Sequence, residues 1–231
     1  MSYKFLLFDL DNTIFDFDAA EAAALSRLFE QLNIPLTQDI RRKYHQFNQK
    51  LWQMYEKDEI SRSELLEAWF PLFFQKLRVP LHGLNPGKIY RGYLQEGHQL
   101  LPDAKFILQQ LAKSFRLFAV TNGISATQRQ RLDDAGIISY FDDLFISEEI
   151  GHQKPAKSFF DYVFAHIPNF ELAEAVVIGD SLSSDILGGT NAHVDTIWYN
   201  PDFVPNHSSI HPIYQIAHLT DLPQLLSNQV V

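Results

Sequence analysis

The chain has 231 residues, no cysteine and a formal net charge of −9. Its length lets one large domain, or a core with a smaller insert, bury a hydrophobic interior, and the lack of cysteine excludes disulfides, thiolate catalysis and cysteine zinc sites. The negative balance argues against a nucleic-acid polymer as partner, no stretch approaches membrane-spanning length, and the opening apolar run lacks a secretory pattern, so a soluble, unprocessed, cytoplasmic protein is expected.

The first element is a buried strand, Phe5-Leu6-Leu7-Phe8, which runs into Asp9-Leu10-Asp11-Asn12-Thr13. Carboxylates are seldom buried without a partner, so Asp9 and Asp11 at a strand mouth ask for a cation. Mg²⁺ is the natural candidate, because it takes hard oxygen ligands and is held by one or two carboxylates plus substrate phosphate oxygens. Taken alone, Asp11 and Asn12 could equally cap a turn, with Asp9 exposed.

Residues 16–97 follow with helical rather than strand periodicity. Asp18-Ala19-Ala20-Glu21 has capping-box spacing, and Ala22, Leu25, Leu28, Phe29 and Leu32 then make one apolar face until Pro35. A second helix is expected over residues 38–57. Ser61-Arg62-Ser63-Glu64 is another capping box, before Leu65, Leu66, Trp69, Phe70, Phe73, Phe74 and Leu77 at helical spacing, and residues 86–96 give a fourth helix. Aromatic residues are dense here: Trp52, Tyr55, Trp69, Tyr90 and Tyr93. Nucleobases stack on such rings for about 1–3 kcal/mol each, but aromatics at helical spacing more often form bundle core.

Past residue 97 the pattern alternates between helix and strand, which means a parallel sheet. A helix over residues 102–114 precedes a strand over residues 115–120, which delivers Thr121, Asn122 and Gly123, a hydroxyl and backbone N–H groups suited to phosphate. A helix over residues 125–135, a strand over 144–147, Lys154-Pro155, and a helix over 158–166 come next. Ala175-Val176-Val177-Ile178 is a buried strand that ends at Gly179, Asp180 and Ser181. Asp185, in the first turn of the next helix, can point at the same strand mouth. A strand over 196–199, an edge strand over 214–216 and a short helix over 222–226 complete the chain; residues 200–212 read as a surface loop, with His207 and His211 as surface residues. In open α/β sheets ligands bind beyond the carboxyl ends of the strands, where all these polar residues are expected. Four acids would crowd one volume there, their repulsion offset by Mg²⁺ and Lys154.

Asp9-x-Asp11-x-Thr13, Val120-Thr121-Asn122-Gly123, Lys154-Pro155 and Gly179-Asp180-Ser181-x-x-Ser184-Asp185, in this order, resemble the signatures of haloacid dehalogenase superfamily phosphohydrolases. The resemblance covers nearly the whole chain. It implies a Rossmann-like α/β core over residues 1–15 and 98–231, with an all-helical cap over residues 16–97 that closes over the core and supplies substrate contacts. It also implies Asp9 as nucleophile forming an aspartyl-phosphate, Asp11 as general acid and then base, Thr121 with the Asn122 and Gly123 backbone on phosphoryl oxygens, and Lys154 as charge balance. Mg²⁺ would be held by Asp9, the Asp11 carbonyl and Asp180, with Asp185 orienting that shell. Dehalogenases of the superfamily lack an acid at the Asp11 position, so phosphate chemistry is favoured.

Thr13-Ile14-Phe15-Asp16-Phe17-Asp18, Asn48 to Trp52, and Gly188-Gly189-Thr190-Asn191-Ala192 followed by Trp198-Tyr199-Asn200 resemble the nucleoside-monophosphate 5′-nucleotidases of the YjjG type. That branch acts on pyrimidine and noncanonical nucleoside monophosphates, and the likeness implies Phe17, Asn48 and Trp52 as substrate contacts. A phosphosugar or phosphoglycolate phosphatase, or a phosphomutase, would carry the same catalytic set. A non-catalytic phosphorylation switch would share the acids, Thr and Lys on a parallel sheet, but needs neither the helical insert nor Asp180 and Asp185.

Overall fold

A computed structural model describes residues 3–81 and 83–227. In chain order, β1 (Phe5–Phe8) is followed by α1 (Phe17–Gln31), α2 (Gln38–Glu56), α3 (Arg62–Lys76) and α4 (Pro86–Gln95). Then come α5 (Ala104–Leu111), β2 (Arg116–Thr121), α6 (Ser125–Asp134), β3 (Asp143–Ile146), α7 (Ser147–Ile150) and α8 (Lys157–His166). The chain closes with β4 (Ala175–Gly179), α9 (Leu187–Asn191), β5 (Asp195–Tyr199), β6 (Tyr214–Ile216) and α10 (Leu222–Ser227). These group into two compact units, Met1–Phe17 with His98–Val231, and Asp18–Gly97. Asp16 and Phe17, expected in the insert, group with the sheet because the Asp16 N–H donates to Gln99 O at 2.9 Å and Phe15 bridges to Leu100.

The sheet unit is a six-stranded sheet in the order β3-β2-β1-β4-β5-β6, with every pairing parallel. Its central strands are continuous apolar runs because both faces are covered. Alternation along the strands sends Leu6, Phe8, Leu117, Ala119, Val176, Ile178 and Ile197 to one face, against Ile107, Leu108 and Leu111 of α5. Phe5, Leu7, Phe118, Val120 and Val177 go to the other, against Phe159, Phe160 and Val163 of α8. Each Val, Leu, Ile or Phe side chain buried in this way contributes about 1.5–3 kcal/mol before the entropy of ordering is subtracted. The chain leaves β1 with β2 on one side and β4 on the other, so a crevice opens beyond the ends of these strands. The helix expected over 102–114 is shorter, since Asp103 sits in the left-handed region at φ 61° and α5 begins after it.

The helical unit buries Ala24, Leu25, Leu28 and Phe29 of α1 and Leu65, Trp69, Phe70, Phe73 and Phe74 of α3, whereas Ala22 is exposed. Tyr44 of α2 stacks on Trp69 and on Phe70, each at 5.8 Å, and Tyr90 of α4 tilts against Phe70 at 5.0 Å. Trp69 and Tyr90 are thus bundle core. The Ser61 capping box forms: Ser61 Oγ accepts the Glu64 N–H at 3.2 Å and the Ser61 N–H donates to Glu64 Oε2 at 2.8 Å. The Asp18 box takes another course. Helix α1 already begins at Phe17, and the Glu21 carboxylate accepts from Asn48 Nδ2 at 2.5 Å. No helix among the described residues is long and apolar enough to cross a membrane.

Candidate active site

Each polar group at the strand ends is delivered by a specific piece of backbone. The Asp9 N–H donates to Ile178 O at 2.9 Å, extending the β1–β4 ladder and fixing the first carboxylate. The chain then turns tightly, with Leu10 O accepting from Ile14 at 2.9 Å and Phe15 at 2.8 Å, and with Asn12 at φ 58°. This brings the buried Thr13 hydroxyl to 3.3 Å from Asp9 Oδ2 and 3.5 Å from Asp180 Oδ1. At the end of β2, buried Thr121 accepts the Gly123 N–H at 3.0 Å on Oγ1. The Asn122 amide grips the Lys154 backbone both ways, accepting its N–H and donating to its carbonyl at 2.9 Å each.

Lys154 is thereby aimed inward, and its ammonium is buried at 1% exposure. It donates to Asp9 Oδ1 at 2.7 Å, Asp185 Oδ1 at 2.6 Å and Val120 O at 2.7 Å, using all three protons. Asp185 lies in the first turn of a helical segment, as expected, but that turn, Leu182–Ile186, is π-helical and runs directly into α9. The wider turn lets its Oδ2 accept the Ser181 N–H at 3.1 Å. A Cβ on Gly179 would lie 2.2 Å from that same oxygen, so only glycine ends β4 without displacing Asp185.

Carboxylate oxygens of Asp9, Asp180 and Asp185 all lie within 4.8 Å of one another. Lys154 is the cation bonded among them. Burial pushes the Asp9 carboxyl up to about 7 against the lowering effect of Lys154, and the charges of Asp185 and Asp11 add to the rise. Asp180 is held well above the carboxylate range by burial, then by Asp9 and Asp185. Burial lowers the Lys154 ammonium, but Asp185 and Asp9 outweigh it and keep the group above its usual range. Ionised together, these three acids would outnumber the one ammonium among them, a surplus that a divalent cation would neutralise. Its donors are hard oxygens on backbone-fixed side chains, a set that fits Mg²⁺ through Asp9 and Asp180 with Asp185 beside them.

Asp11 does not join that triad of oxygens. Its Oδ1 accepts from Arg131 Nη1 at 2.6 Å and its Oδ2 from Gln128 Nε2 at 2.6 Å. Both partners come from α6 and are buried at 1% exposure. Sequence reasoning passed over this pair; the available signal was a glutamine and an arginine three apart on the helix after Thr121-Asn122-Gly123, on the face that carries buried Leu132. Phe17 is half-buried, its ring 5.9 Å from the Arg131 guanidinium carbon. Asn48 and Trp52 belong to the helical unit, Asn48 buried against Glu21 and Trp52 edge-on to Tyr55 at 5.9 Å. In the last motif, Trp198 Nε1 donates to Asp180 O at 2.7 Å, while the Asn200 amide closes a loop onto Val204. His207 and His211 are exposed.

Comparison with known proteins agrees with this geometry. Residues 6–199 match the haloacid dehalogenase-like hydrolase family. YfnB of Bacillus subtilis is 44% identical over 97% of this chain and 96% of its own. Its crystal structure, bound to magnesium and described as revealing interdomain movement, superimposes with a TM-score of 0.94 over 98% of this chain and 100% of that one. The pyrimidine 5′-nucleotidase PynA of Streptococcus pneumoniae is 38% identical, covering 100% of this chain and 98% of its own. The pyrimidine 5′-nucleotidase YjjG of Escherichia coli is 32% identical, covering 98% and 99%. With the motifs, the parallel sheet and the family match all in register, the chain belongs to the haloacid dehalogenase-like hydrolases.

Proposed function

We propose that the chain is a Mg²⁺-dependent phosphomonoesterase that works through an aspartyl-phosphate on Asp9, with pyrimidine or noncanonical nucleoside monophosphates as substrates. The observation that carries this reading is the buried set Asp9, Asp180, Asp185 and Lys154, whose negative surplus suits a cation and a phosphoryl group together. Asp11, two residues after the nucleophile, supports phosphate rather than halide as the leaving chemistry. Phosphate monoesters are among the slowest biological bonds to hydrolyse, with accelerations up to ~10²¹ known, so positioning and charge neutralisation carry the rate.

In the first half-reaction an Asp9 oxygen attacks phosphorus, the ester P–O bond breaks, and Asp11 gives a proton to the departing alkoxide. In the second, Asp11 takes a proton from water, the new P–O bond forms, and the Asp9 carboxylate leaves with its electron pair. Thr121 and the Asn122 and Gly123 backbone are assigned to phosphoryl oxygens, and Lys154 balances the charge of Asp9 as substrate arrives. Bound between Asp9, the Asp11 carbonyl and Asp180, with Asp185 beside them, Mg²⁺ would supply electrophilic stabilisation of the phosphoryl charge. Asp180 and Asp185 hold the positions of that set, and Trp198 steadies the Asp180 backbone.

The full-length likeness to PynA and YjjG supports nucleoside monophosphates as the substrate class. Phe17, Asn48 and Trp52, within the motifs shared with that branch, are the candidate nucleoside contacts. A phosphate-release screen with added Mg²⁺ over UMP, dUMP, dTMP, phosphoglycolate and hexose phosphates tests the reading. Preferred release from the pyrimidine nucleotides, abolished by chelation, is expected. A preference for the sugar phosphates overturns the substrate, and a phosphoenzyme stable for minutes without turnover overturns the enzyme.

A further inference from the structure

The Asp11 carboxylate is held by a device that the general reaction does not require. Gln128 and Arg131 lie three residues apart on α6 and so share a face. One contacts each oxygen of Asp11, both at 2.6 Å. The two are also tied to each other, Arg131 Nη1 donating to Gln128 Oε1 at 3.1 Å. Arg131 is pinned further by the Phe15 ring, whose centroid is 4.2 Å from its guanidinium carbon. Gln128 Nε2 reaches Thr121 Oγ1 at 3.2 Å. A Cβ on Gly123 would come within 2.3 Å of that same nitrogen, so the glycine of the Thr121-Asn122-Gly123 turn leaves the space Gln128 occupies.

Stability alone is a weak account of this arrangement. Burying an arginine against a carboxylate costs desolvation on both sides, and apolar replacements of buried ion pairs are often neutral or stabilising. The contacts do define direction. A carboxylate gripped at both oxygens cannot rotate about its last torsion, yet each oxygen keeps a second lone pair for a proton. Because Gln128 bonds Asp11 and Thr121 at once, the acid is held in register with the end of β2.

We propose that Gln128 and Arg131 are a positioning pair that aims the Asp11 carboxylate at the leaving alkoxide and at the hydrolytic water. The proposal rests on the reading of Asp11 as general acid and base. Errors in aim of about 1 Å can cost ~10²-fold, and a positioned acid or base is worth ~10²–10⁴-fold, so the loss should depend on how much the leaving group needs its proton.

The test compares kcat/KM for UMP, whose leaving alkoxide requires protonation, with p-nitrophenyl phosphate, whose phenolate leaves without it, in Mg²⁺-loaded protein. Gln128→Met and Arg131→Lys are each expected to lower the UMP value by ~10²-fold and the aryl value by less than ~10-fold. Added to Asp11→Asn, neither should cost anything further. Equal losses on both esters in a variant that melts like the parent, or losses that multiply with Asp11→Asn, would overturn the proposal. Should Gln128→Met fail to fold, Arg131→Lys, which keeps the buried cation, carries the same comparison. If Asp11→Asn itself treats the two esters alike, the acid–base reading falls and takes the pair with it. If Asp11→Asn discriminates between them and the pair variants do not, only the pair falls.

Discussion

A lone buried carboxylate in the helical unit and a cluster of three in the sheet unit show how differently a fold can surround acidic groups. In the helical unit, Glu21 is matched by Asn48, which donates at 2.5 Å, and by His45 at 3.6 Å. Its carboxyl stays raised, mainly by burial and further by the charge of Asp18, although His45 and Asn48 work against the rise. In the sheet unit, Asp9 and Asp185 both bond Lys154, Asp180 offers an oxygen within 4.8 Å of theirs, and the one ammonium offsets only part of their mutual repulsion. The first is a single acid beside two polar partners. The second holds more acids than its one ammonium offsets, and the proposed chemistry rests on that imbalance.

The comparison breaks most sharply at Asp9. Asp9→Asn should lower phosphate release by at least ~10⁴-fold while the metal-free protein melts no lower than the parent, because one repelling charge has gone. A variant that loses activity only by unfolding would place Asp9 with Glu21, as packing. Lys154→Met should destabilise the metal-free protein by about 3–5 kcal/mol as well as abolish turnover, since three acids then lack their buried cation. Denaturant unfolding in chelator measures this.

A pH series sharpens the contrast. Asp9 is raised to about 7 in the folded state from an ordinary value of 3.8. Between these limits the folded, metal-free protein holds a proton that the unfolded chain has released, so this group's contribution to stability falls as pH rises through about 7. Melting in chelator should therefore drop as pH rises from about 4 to about 8, the increment given by Mg²⁺ should grow over the same range, and Asp9→Asn should shrink both trends, with Asp180 carrying what remains. The smallest effect belongs to Glu21→Gln, which keeps the acceptor for Asn48. Unfolding free energy should change by under about 1 kcal/mol and the Mg²⁺ increment should stay as it was.

Much of this was legible in the chain. The strand runs Phe5 to Phe8 and Ala175 to Ile178 are apolar throughout because both sheet faces are covered, and their terminal acids stand out against that background. Trp69 and Tyr90 followed helical spacing into the bundle core. Where sequence fell short, contacts distant along the chain decided the outcome. Glu21 abandoned its capping-box spacing for Asn48 on another helix. Asp185 reached Lys154 through a π-helical turn that periodicity does not encode. Gln128 and Arg131 lie on a mostly polar helix, where only the face shared with Leu132 sets them apart, and their partner Asp11 stands more than a hundred positions earlier in the chain.

Acid quench of the Mg²⁺-loaded protein during turnover of a pyrimidine nucleoside monophosphate, followed by peptide mass spectrometry, tests the central claim most directly. A phosphoryl group on the peptide that contains Asp9, absent after chelation and absent in Asp9→Asn, is the expected result. Steady release of phosphate with no phosphoryl group on that peptide would contradict it.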